Sequence, residues 1–176
     1  RHVCPNGQAQ LVSSRDHLLD YACKKQRHVT RSTFGAELFA ACDSVDHGML
    51  LAQILQEIQF GALSAAAARH LRENGGWCLK MQLAIDAMSV YAAVTATQVK
   101  IPAEKALYMH VQYLRELLDR GVLHSIWWLD TRDMASDGLT KGAVERDILQ
   151  GIMKGTFTVR HSPTGWRPPL AVSANK

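Results

Sequence analysis

TRSTFGAELFAACDSVDHGMLLAQILQEI, residues 30–58, decides how the rest of the chain is read. Phe34, Leu38, Ala41, Val45, Ala52 and Leu55 recur at steps of three, four or seven, the stripe that a helix turns toward a core. Ser32 or Thr33 offers a hydroxyl to cap its start. Glu37 falls three residues after Phe34 and four before Ala41, so its side chain is expected to leave the helix along the apolar stripe. A buried carboxylate is costly unless a cation or a hydrogen-bond donor meets it. Two explanations stand: Glu37 sits on the margin of the stripe, near the positive end of the helix dipole, or the stripe ends at a site that requires an acid.

The chain has 176 residues, of which 47% are hydrophobic and 20% charged, enough for one well-buried core in a soluble globular protein and too few for two. Polar or charged residues interrupt every apolar run before it reaches the roughly 18 to 20 residues that span a bilayer, so no membrane span is expected. The opening RHVCPNGQAQ lacks the apolar core of a secretory signal, and without an initiator Met the first residue reads as an internal or processed start. Cys4, Cys23, Cys42 and Cys78 show neither CxxC nor Cys/His ligand spacing, which favours reduced thiols in an intracellular protein. A net charge of +4 is compatible with a polyanionic partner without requiring one.

Along the chain, AQLVSS and HLLDYAC read as short strands joined by SRD. The run KKQRHVTR follows, in which Lys24, Lys25, Arg27 and Arg31 crowd into eight residues and read, by themselves, as a solvated edge. After the long helix comes a small one, LSAAAARHLRE, closed by NGG. The alternation in WCLKMQLAID suits a strand, with Asp86 at its carboxyl end. AMSVYAAVTA reads as a short helix, and Pro102 opens another, with Leu107, Val111, Leu114 and Leu118 as its buried line and Gly121 as its stop. VLHSIWWLD is a second good strand, and TRDMASDGLTKGAVERDILQGIMK a turn and a final helix. The expected architecture is α/β, a mixed sheet flanked by helices, over residues 1–154, followed by an extended Pro-rich tail over 155–176 that wraps the domain or links it onward.

Open α/β sheets bind ligands beyond the carboxyl ends of their strands. Asp86 follows such a strand directly, Asp137 lies in the first turn of the final helix, and Glu37 in the first turns of the long one. Each has an ordinary explanation as a turn or helix-start acid. Brought together, three carboxylates would repel one another unless a cation sat among them. Oxygen donors suit Mg²⁺ or Mn²⁺, and two such ions about 3.5 to 4 Å apart can drive phosphodiester cleavage.

KKQRHVTRSTFGAELFAA, LAIDAMSVYAAV and ALYMHVQYLRELLDRGVLHSIWWLDTRDMASDGLTK occur in an order that resembles the ribonuclease H domain of copia-type retrotransposon polyproteins, which follows the reverse transcriptase. The resemblance runs from about Leu18 to Leu149, except for residues 61–76, which read as an insertion. It implies a ribonuclease H-like sheet and an endonuclease that cuts the RNA strand of RNA–DNA hybrids with two Mg²⁺ (or Mn²⁺) ions. Glu37, Asp86 and Asp137 would be the catalytic metal ligands, and Lys24, Lys25, Arg27, Arg31 and Lys141 would contact phosphates. The hybrid is the implied partner, together with the reverse transcriptase portion of the same polyprotein. The family also carries an aspartate on an earlier strand, and neither Asp16 nor Asp20 fills that place. Either the chain is a fragment, or it is an impaired or inactive module kept for nucleic-acid binding or assembly.

Overall fold

The Ser32 hydroxyl accepts a hydrogen bond from the Gly35 N–H at 3.1 Å and so caps α1, Thr33–Phe60. This computed structural model describes residues 18–22, 29–98, 101–140, 146–156 and 158–169. Leu38, Ala41, Val45 and Ala52 of the expected stripe are buried in α1, joined by Gly35 and Cys42, whereas Phe34 and Leu55 are half-buried. Glu37 is exposed. At about 100° per residue it lies roughly 90° from the centre of that face, on its flank. Among the described residues α1 is the one helix long and apolar enough, by length and composition, to cross a bilayer. The buried face packs into one core with Leu83, Val90, Val111 and Leu114, which is the placement of a core helix.

Ser64 caps α2, Ala65–Asn74, by accepting from the Ala67 N–H. The helix ends at Gly75, whose positive φ of 73° and close approach to Gly121 leave no room for a side chain: a Cβ there would lie 2.4 Å from the Gly121 carbonyl oxygen. Residues 61–76, read as an insertion, thus pack through this turn against the backbone at Gly121.

β1, Gln82–Ile85, is shorter than the alternation suggests. α3, Met88–Thr95, and α4, Leu107–Asp119, connect it to β2, Ser125–Trp128, which lies parallel to it with Gln82 opposite Ser125 and Ile85 opposite Trp128. Helical crossovers of this kind are what parallel neighbours require. α4 begins later than Pro102 predicts, because Leu107 and Tyr108 donate to Glu104 and Lys105 in tight turns before the regular helix starts. Its line Leu107, Val111, Leu114 and Leu118 is buried as expected.

The single final helix expected after β2 is broken into a 3₁₀ turn, Thr131–Asp133, a short α5, Asp137–Thr140, and α6, Asp147–Met153. The tail is not merely extended. Its residues Thr164–Trp166 form β3, antiparallel to β2, with Trp127 opposite Gly165, so the sheet has the order β1-β2-β3. Residues 18–22 form no strand; Leu19 and Tyr21 are exposed, and Asp20 instead pairs with His47 of α1 at 2.7 Å. The AQLVSS strand lies outside the described residues. Among the described residues the architecture is therefore mixed α/β, six helices around a small mixed sheet.

Candidate functional site

Asp86 is the first residue beyond β1 and is half-buried. Its backbone oxygen accepts from the Trp128 indole N–H at 2.9 Å, and the Leu129 N–H donates to the Ile85 oxygen at 2.8 Å, so the carboxyl ends of β1 and β2 are stitched together beside it. From that edge the chain turns through Asp130, which receives the Arg132 backbone N–H at 3.0 Å and its guanidinium through two bonds of 2.8 Å. The guanidinium, then the backbone N–H, hold the Asp130 carboxyl well below the usual carboxylate range. Asp133 ends the 3₁₀ turn and is fully buried, and Asp137 opens α5 and is also buried.

The helix that carries Glu37 points its start toward the same edge. The Cys78 N–H, ahead of β1, donates to Gln56 near the end of α1; Gly48 faces Met81, just before β1; and Gly35 faces Leu107 at the start of α4. α1 therefore runs antiparallel to β1, and α4 antiparallel to β2, which puts the first turns of both helices near the carboxyl ends of the strands. The start of the helix bearing Glu37 and the strand end bearing Asp86 therefore share one edge. The side chains do not close into one set: among the described residues, no three His, Cys, Asp or Glu groups gather as a metal site. Glu37 is exposed, and among the described residues the donor set that two ions would need is not complete.

Arg31 is exposed two residues before α1. Lys24, Lys25, Arg27 and Lys141 lie outside the described residues.

Sequence reasoning missed a pair at the same edge. Asp133 Oδ2 accepts from the His161 backbone N–H at 2.8 Å and faces its ring Nδ1 at 3.1 Å. No local signal joins residues so distant in sequence; only the pairing of β3 with β2 brings His161 there.

A separate groove of about 540 Å³ runs between α1 and α4, lined by Phe39, Cys42, Asp43, Asp46, Met109, His110 and Tyr113. The Tyr113 hydroxyl donates to Asp46 across it. Burial and the charges of Asp46 and Asp43 push the Cys42 thiol up to about 12, a poor nucleophile.

Comparison with protein-family models, with curated proteins and with solved structures finds no match to this chain.

Proposed function

We propose that this chain is a ribonuclease H-type module of a copia-type retrotransposon polyprotein, acting on the RNA strand of RNA–DNA hybrids with Mg²⁺ or Mn²⁺. The observation that supports this reading is the position of Asp86, at the end of a parallel strand and beside the segment that leads to buried Asp137. That is the edge at which α/β sheets bind ligands. The start of α1, with exposed Arg31 and Glu37, lies toward the same edge. Exposed cations there would contact phosphates and set register without reading sequence. Because Glu37, Asp86 and Asp137 do not gather as a donor set, no chemical step is assigned to them.

A second reading, a module that binds hybrid without cutting it, is favoured by that lack of convergence. A labelled RNA–DNA hybrid titrated with Mg²⁺ or Mn²⁺ separates the two. Slow cutting that Asp86→Asn abolishes supports the nuclease. Binding without cutting supports the second reading, and neither binding nor cutting rejects both.

A further inference from the structure

The C-terminal segment grips the domain through two consecutive side chains. Arg160 pairs with Asp147 of α6 at 2.5 Å, and His161 donates its backbone N–H to Asp133 while its ring Nδ1 faces the same carboxylate oxygen. β3 follows directly, with Gly165 lying flat against the Trp127 ring.

Asp133 is the unusual member. It has no exposed surface, its Oδ1 has no hydrogen-bond partner among the described residues, and Oδ2 accepts the His161 backbone N–H and faces its ring Nδ1. A carboxylate so buried depends on the donors it has, because losing one leaves a charge that neither water nor protein solvates. Its loop is the one that carries Asp137: the Asp133 N–H donates to Asp130, the Asp137 N–H to Met134, and the Leu139 N–H to Ser136. A shift of Asp133 therefore moves the turn from which Asp137 projects.

We propose that Asp133 and His161 are positioning residues, a clamp by which the C-terminal segment fixes the loop bearing Asp137. The coupling itself stands on geometry; its effect on hybrid cutting rests on the nuclease reading. Neither residue needs to touch substrate for the clamp to act.

The test is amide hydrogen exchange on the full chain, comparing His161→Ala, His161→Asn and the unmodified protein. In His161→Ala, the amides of Asp137 and Leu139 should exchange about tenfold faster, the effect expected from losing one charge-assisted hydrogen bond, while β1 amides keep their rates. His161→Asn should restore slow exchange, because its Nδ2 sits where the imidazole Nδ1 sat and can donate to the same oxygen. His161→Leu, which fills the space without a donor, should exchange as fast as His161→Ala. If the unmodified chain cuts hybrid, His161→Ala should lower kcat and leave KM for the hybrid unchanged. An unchanged loop in His161→Ala, or β1 amides accelerated as much as the loop, overturns the clamp. Failure of the unmodified chain to cut counts against the nuclease reading alone, since the exchange comparison needs no activity.

Discussion

Cys42 shows how one buried group ties stability to pH. Its thiol is pushed up to about 12, first by burial and then by the charges of Asp46 and Asp43, whereas a thiol in an unfolded chain titrates near about 8.5. The folded state therefore keeps a proton that the unfolded state releases. The stabilisation is complete below about pH 8.5 and is lost as the pH climbs toward about 12. Tyr113 acts in the same direction, its hydroxyl raised by burial and by the hydrogen bond to Asp46. The urea midpoint should stay level from pH 7 to 8 and fall above pH 9, and Cys42→Ala should flatten the early part of that fall. Thiol reagents supply an independent check: at pH 8 the native Cys42 should react about a thousandfold more slowly than in urea, because its thiolate is so scarce. Native labelling at the denatured rate would show that the burial argument is wrong.

At the scale of elements, Gly165 keys β3 to the sheet. A Cβ on it would lie 2.5 Å from the Trp127 ring, and that ring is held by its indole N–H donating to Ser125 Oγ at 3.0 Å. Gly165→Ala should cost about 1 to 3 kcal/mol in urea unfolding, the usual penalty for forcing atoms into a filled space. An unchanged midpoint would mean that the ring turns aside freely. The same strand shows where the sequence falls silent. A 28-residue helix with a capping serine and a repeating apolar face announces itself, as α1 does. Three residues, Thr164–Trp166, carry no period, and their conformation comes from a β2 edge that is distant in sequence. The break between α5 and α6 was hidden for a related reason: the segment has too few apolar repeats to mark two short helices rather than one. Among the candidate acids, Asp86 stands out in the sequence because it directly follows a bulky strand, and Asp137 because it opens a helix soon after another. Glu37 lies on the flank of its helix face, and a step of three or four residues cannot separate that flank from the centre. The Asp133–His161 pair has no local signature at all.

For the whole molecule, the question is what the C-terminal segment protects. β2 lies between β1 and β3, and it carries Trp127 and Trp128, both only partly buried even with β3 in place. Trp166 of β3 packs against the core cluster from the same segment. Removing residues 155–176 would strip β2 of its antiparallel partner, take His161 from Asp133 and leave a strand edge with unpaired backbone groups beside two large aromatic rings. Such an edge is a template for pairing with another chain. The truncated protein should therefore self-associate, seen as a sedimentation coefficient that rises with concentration, and the tryptophan emission should shift to the red as water reaches Trp127 and Trp128. The full chain at the same concentrations should sediment independently of loading. A truncated chain that stays monomeric, with unshifted emission, would show that α1 to α6 and the β1-β2 pair form a closed unit without β3, and that the segment is an accessory to the fold rather than its third strand.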